Sequence, residues 1–226
     1  MKKYLIIALC VLSVCLAACS GNSTAQTTSE FKAETSKQEY FYAMGNYYAN
    51  LYSQYYEDMD FDAFIAGMKA YENGKVISDA DIEAAVNNYY NEMYAEIAEK
   101  NLAAANAFLE ENGKKEGVVT TQSGLQYKVV QQGSGNTPSA SAMVEVKYTL
   151  SDISGNVLDT SGDESVFFFL TDVIPGFSEA VMAMNPGSII TAWIHPDLGY
   201  GENGSGSVEP QSLLVFDIEL VSVTED

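Results

Sequence analysis

Val173-Ile174-Pro175-Gly176-Phe177-Ser178-Glu179-Ala180-Val181-Met182-Ala183-Met184-Asn185-Pro186-Gly187 is a short helical signal inside a strand-patterned half of the chain. Proline lacks an N–H and fixes φ at about −65°, so Pro175-Gly176 suits the opening of a helix over residues 177–184. Asn185-Pro186-Gly187 cannot continue that helix and ends it. On both sides the apolar period is two. Upstream, residues 125–129 alternate and residues 133–141 are turn-rich. Val144, Val146, Tyr148 and Leu150 then alternate through 143–150, Ser154-Gly155-Asn156 reads as a turn, and residues 166–170 form an apolar run. Downstream, residues 189–194 and 213–223 read as strands. Several strands with one short helix predict an α+β domain over residues 123–226, an antiparallel sheet wrapped on a short helix.

Upstream of residue 113 the period changes to that of helices. Tyr40, Met44, Tyr47, Tyr48, Leu51 and Tyr55 predict a first helix from Gln38, with Ser36 as N-cap and Glu39 completing a capping box. Phe61, Phe64, Ile65, Met68 and Tyr71 predict a second, capped by Asp60 and ended by Gly74. Ser78 and Asp81 open a third that runs to about Asn112, with Gly113 as its stop signal. At 1.5 Å per residue that helix is about 50 Å long, and two short helices cannot cover its apolar side. A homodimer formed by residues 38–112 is therefore expected, with residues 113–122 as a linker. Tyrosines crowd this region, as an interface or a client-binding cradle would require; an ordinary helical core with Tyr in place of Phe and Leu accounts for part of them.

The first residues read as a leader. Lys2 and Lys3 precede an apolar run over 4–14, too short for the ~20 residues a bilayer-spanning helix needs. The run ends in Leu16-Ala17-Ala18-Cys19, which resembles a bacterial lipobox. Residues 1–18 are expected to be removed and Cys19 to carry lipid, which anchors the chain without a transmembrane helix. Cys10 and Cys15 leave with the leader, so the processed chain has no disulfide. Residues 19–37 have the polar composition of a flexible tether. The expected location is the bacterial cell envelope, at the outer membrane on its periplasmic or surface face. The formal net charge of −20, with 31 acidic residues against 11 lysines and no arginine, argues against nucleic-acid binding.

Four stretches in order carry a family likeness: Gly124-Leu125-Gln126-Tyr127 with Val146-Lys147-Tyr148-Thr149; Val173-Ile174-Pro175-Gly176-Phe177; Pro196-Asp197-Leu198-Gly199-Tyr200-Gly201; and Leu214-Val215-Phe216-Asp217-Ile218-Glu219-Leu220. They resemble an FKBP-type peptidyl-prolyl cis-trans isomerase domain. Ala43-Met44-Gly45 and Asp62-Ala63-Phe64-Ile65-Ala66-Gly67-Met68 are similar to the N-terminal domain of Mip-like members. The resemblance implies isomerisation of X–Pro bonds in exported, partly unfolded proteins. It needs no cofactor and no metal, because the chemistry is rotation about an amide with a barrier of about 18–20 kcal/mol. A twisted amide is less polar than a planar one, so a dry aromatic pocket favours it.

By resemblance, Tyr148, Asp159, Ile174, Tyr200 and Phe216 are the catalytic positions. The Ile174 N–H and the Tyr200 hydroxyl act as donors to the substrate, and Asp159 is the pocket carboxylate. Leu158, Val166, Val173, Phe177 and Val208 are the substrate-binding positions. The chain departs from the family pattern at several of them. Leu158 stands where a Phe usually faces the proline, Phe177 replaces the Trp of the pocket floor, and no Arg exists to pair with Asp159. Gly199 replaces an Ala, and Glu209-Pro210 stands where Pro-Pro is usual. These departures keep open a reading from another class, a dimeric holdase chaperone that binds clients with little or no isomerase activity. His195, the sole histidine, cannot build a metal site alone, and Asp152-Ile153-Ser154-Gly155-Asn156 reads as a β-turn rather than a calcium loop.

Overall fold

A computed structural model of the chain describes residues 31–56 and 59–225. The leader, Cys19 and most of the expected tether lie outside the described residues. The chain divides into two compact units at Val76 and Ile77. The first holds α1 (Ser36–Ser53) and α2 (Phe61–Glu72). The second holds α3 (Asp79–Asn112), seven strands and α4 (Pro175–Met182).

The helix starts obey capping chemistry, with one shift from expectation. Thr35, not Ser36, caps α1: its hydroxyl accepts from the Gln38 N–H at 3.3 Å, and the Gln38 side chain accepts from the Thr35 N–H at 3.2 Å. Thr35/Gln38 and Ser36/Glu39 both spell the capping box, so spacing alone could not choose between them. Asp60 caps α2 and Ser78 caps α3 as expected. Gly113 does follow α3, but at φ −62°, not in a left-handed conformation. A Cβ there would lie 2.9 Å from Gln126 Nε2, so that amide would have to shift to admit a side chain.

No residue of α1 or α2 is buried, and Tyr40, Phe41, Tyr47, Phe64, Ile65, Met68 and Tyr71 are all exposed. Along α3 only Ala105 and Asn112 are buried, while Ile82, Val86, Tyr89 and Tyr94 are exposed toward its N-terminal end. No helix among the described residues is long and apolar enough to cross a membrane.

The strands are β1 (Val118–Thr120), β2 (Gln126–Gln131), β3 (Met143–Ser151), β4 (Val157–Thr160), β5 (Val166–Phe169), β6 (Ile189–Ile194) and β7 (Leu214–Thr224). Their order is β1-β2-β6-β7-β3-β4, with β5 also on β3, and every pair is antiparallel. β1 lies inside the stretch expected to be a linker; its three residues pair with Gln126–Lys128. β4 also went unforeseen, because four residues give too little alternation to read.

β6 buries Ile190, Ala192 and Ile194, and β7 buries Leu214, Phe216, Ile218 and Leu220, as a period of two requires. α4 lays Gly176, Phe177, Ala180 and Val181 on that face. Gly176 is required by the approach: a Cβ there would sit 2.3 Å from Ile194 Cγ2. The C-terminal end of α3 joins the same unit through the buried Asn112, whose amide donates to Gln126 Oε1 at 3.0 Å, while the Gln126 amide donates to Leu109 O at 2.8 Å.

Candidate active site

β3, β4, β5, β7 and the start of α4 surround a cleft of about 310 Å³. β3 supplies Tyr148 and Leu150, β4 Asp159, β5 Phe168, and β7 Phe216. Asp172, Val173 and Ile174 line it from the connection before α4, Phe177 from α4, and Tyr200 from the turn after β6.

The floor is aromatic. Phe177 and Phe216 are 3% and 4% exposed, with ring centroids 5.2 Å apart and nearly perpendicular. Phe168 stands edge-on to Phe177 at 6.1 Å. Tyr148 touches all three, at 6.0 Å from Phe168, 6.3 Å from Phe177 and 6.0 Å from Phe216. Edge-to-face rings hold one another's orientation and leave an apolar wall without polar groups in need of water.

The rim is polar. The Tyr148 hydroxyl donates to Asp159 Oδ2 at 2.6 Å, and Asp159 Oδ1 accepts from the Thr160 N–H at 2.8 Å. Burial, then the bond to Asp159, pushes the Tyr148 phenol up to about 12, so it stays protonated at neutral pH. Ile174 is the N-cap of α4; its carbonyl accepts from the Phe177 and Ser178 N–H groups at 3.1 Å each. Neither the Ile174 N–H nor the Tyr200 hydroxyl donates a hydrogen bond to another described residue. Tyr200 is 37% exposed at the mouth.

Seven of the ten residues named from the sequence therefore meet around one cleft: Tyr148, Asp159, Val173, Ile174, Phe177, Tyr200 and Phe216. Three do not line it. Leu158 and Val166 are partly buried against the core, and Val208 is buried within it. Leu158 precedes Asp159 on a strand, where neighbouring side chains take opposite faces, so both cannot face the same cleft. Leu150, Phe168 and Asp172 line the cleft but were not named. Period two gave a signal for Leu150, which follows Tyr148 by two positions, whereas Phe168 sits in an unbroken apolar run that does not single it out. Asp172 carried none. His195 accepts the Asp197 N–H on Nδ1 at 3.2 Å, and Asp152 accepts the Ser154 and Asn156 N–H groups, which closes the β3–β4 turn.

The chain is similar to known proteins in sequence and in fold. Residues 37–129 match the domain amino terminal to FKBP-type peptidyl-prolyl isomerase, and residues 135–221 match the FKBP-type peptidyl-prolyl cis-trans isomerase itself. The FKBP-type peptidyl-prolyl cis-trans isomerase FkpA of Aeromonas hydrophila is 34% identical, over 94% of this chain and 91% of that protein. The chain belongs to the FKBP-type peptidyl-prolyl cis-trans isomerase family. The outer membrane protein MIP of Legionella longbeachae is 30% identical, over 84% of this chain and 86% of that one. The crystal structure of FkpA from Escherichia coli superposes with a TM-score of 0.68 at 30% identity, covering 84% of this chain and 98% of that one. The FKBP fold thus follows an N-terminal helical region, as in that structure, and the enzyme class is that of the family.

Proposed function

We propose that this FKBP-type isomerase turns X–Pro bonds in exported, partly folded proteins, with the proline ring on the Phe177 floor between Tyr148, Phe168 and Phe216. The observation that carries this reading is the pairing of an aromatic, donor-poor floor with two uncommitted donors, the Ile174 N–H and the Tyr200 hydroxyl, at its edge. The apolar floor lowers the cost of the less polar, twisted amide. The two donors fix the substrate carbonyl while the remainder of the bond rotates. Asp159, held by Tyr148, keeps the wall in place and puts a negative charge beside the cleft.

The protein acts from the cell envelope, held by lipid on Cys19, as a homodimer through residues 38–112. Support for the dimer comes from the first unit, where α1 and α2 bury nothing and enclose an apolar groove of about 770 Å³ lined by Tyr40, Met44, Tyr52, Phe64 and Met68 among others. A second copy of the same helices is the occupant that this self-similar aromatic surface fits. The deciding experiment is a protease-coupled isomerisation assay on proline peptides. Catalysed isomerisation supports the proposal. An inactive protein that still suppresses aggregation of an unfolded client would transfer the case to the holdase reading.

A further inference from the structure

The Asn101 side chain on α3 points its amide at a single segment of the sheet unit. It donates toward Pro210 O at 2.9 Å, Glu209 Oε2 at 3.2 Å and Ser212 Oγ at 3.3 Å. That segment is the returning limb of a loop that begins beside the cleft. The loop leaves Tyr200, passes a single 3₁₀ turn over Gly201–Asn203, and returns at Gln211, whose N–H donates to Gly201 O at 2.9 Å. Asn101 is thus joined to Tyr200 through Pro210, the adjoining Gln211 and its bond to Gly201.

Two observations mark the loop base as held rather than relaxed. Gln211 has φ 55°, the one positive value at a non-glycine among the described residues, which an L side chain keeps only when its surroundings impose it. Its Oε1 is buried without a hydrogen-bond partner. Contact with α3 does not fill the space beside it, because Tyr94, Ala98 and Leu102 of α3 face Glu202, Asn203 and Gln211 across a recess of about 380 Å³. Nor is Asn101 needed to dock α3. Ala105 is fully buried, and the Asn112–Gln126–Leu109 bonds fix the helix end independently. The three Asn101 contacts therefore act on the loop.

We propose that Asn101 is a positioning residue for the isomerase reaction: it tethers the base of the 201–211 loop and so sets the Tyr200 hydroxyl over the cleft. This rests on the reading that Tyr200 faces the substrate carbonyl. Asn101→Asp keeps the side-chain shape, removes the donor and sets a second carboxylate against Glu209, so it releases the loop from the helix. In the full chain it should lower kcat/KM about three- to tenfold, the scale of one hydrogen bond, through kcat, with KM within about twofold. Amide exchange at Gln211 should quicken while that of Ile190 and Ile218 in the sheet does not change. On a Tyr200→Phe background the same substitution should cost less than about twofold, because the group it positions is gone. Equal losses on both backgrounds, an unchanged kcat, or an unchanged Gln211 exchange rate would each overturn the proposal. Should Asn101→Asp fail to fold, Asn101→Ser carries the same readouts. A wild-type chain with no isomerase activity would instead defeat the proposed function, a result distinct from an active wild type indifferent to Asn101.

Discussion

Across the β3–β4 pair the Tyr148 hydroxyl meets the Asp159 carboxylate at 2.6 Å, in a chain that contains no arginine. The tyrosine does for this carboxylate what a guanidinium could otherwise do, with a neutral donor in place of a charge. An ion pair would lower the carboxylate's electrostatic reach into the cleft; a phenol leaves the negative charge at full strength.

That bond has a spectroscopic consequence. The Tyr148 phenol is raised to about 12 by burial and then by Asp159, from the usual 10.0. The neutral form therefore stabilises the fold below the unfolded value, and this contribution is lost as pH rises from about 10 toward about 12. In an ultraviolet titration of phenolate, the difference between wild type and Tyr148→Phe should stay flat through the range in which ordinary tyrosines ionise. A difference signal with a midpoint near 10 would disprove the shift.

Tyr200→Phe removes one donor from the mouth of the cleft and no packing volume. Isomerase activity should fall a few-fold to about tenfold, with the circular dichroism spectrum unchanged. Full activity in the variant would place the substrate carbonyl elsewhere. Phe216→Ala would also reduce the rate, but it opens a cavity in a buried cluster, which typically costs about 3–5 kcal/mol, so it separates site from fold less cleanly.

Asp152 offers a pH test of the sheet unit. Partial burial acts upward on its carboxyl, but hydrogen bonds from the Asn156 side chain and from the Asn156 and Ser154 N–H groups outweigh it, and the group lies below its usual value. A depressed carboxylate stabilises the fold above its unfolded value and loses that contribution as pH falls through its folded value. Asp152→Ala should lower the melting temperature by a few degrees near neutral pH, with the gap narrowing in acid. A gap that widens on acidification would contradict this sign.

The apolar helices give a prediction about assembly. Light scattering should find a dimer for residues 20–226 and a monomer for residues 123–226. A monomeric longer form at micromolar concentration would remove the basis for assigning the α1–α2 groove to a second copy.

Cys19→Ser should abolish fatty-acid labelling and release the protein from the membrane fraction, because Cys19 alone follows Leu16-Ala17-Ala18. Labelling of the variant equal to that of wild type would rule out the lipobox.

The sequence by itself determined the order of the elements and most of the cleft. Period two marked β2, β3, β6 and β7, an unbroken apolar run marked β5, Pro175-Gly176 marked α4, and Ser78 with Asp81 marked the start of α3, because each of these signals is local and survives in a string of residues. Tyr148, Phe177, Tyr200 and Phe216 were named by another route, as positions inside stretches that resemble the motifs of the FKBP family. Tertiary structure alone decided which of two equivalent capping boxes closes α1. It also recruited residues 118–120 as an edge strand, for which three residues carry no pattern of their own. Leu158 went to the core rather than the cleft, because the strand that aims Asp159 one way must aim its neighbour the other. And Asn101, 99 positions before Tyr200 in the chain, reaches that residue's loop only because the folded helix lies beside it. A hydrogen bond of that kind depends on distance in space, and spacing along the chain holds no record of it.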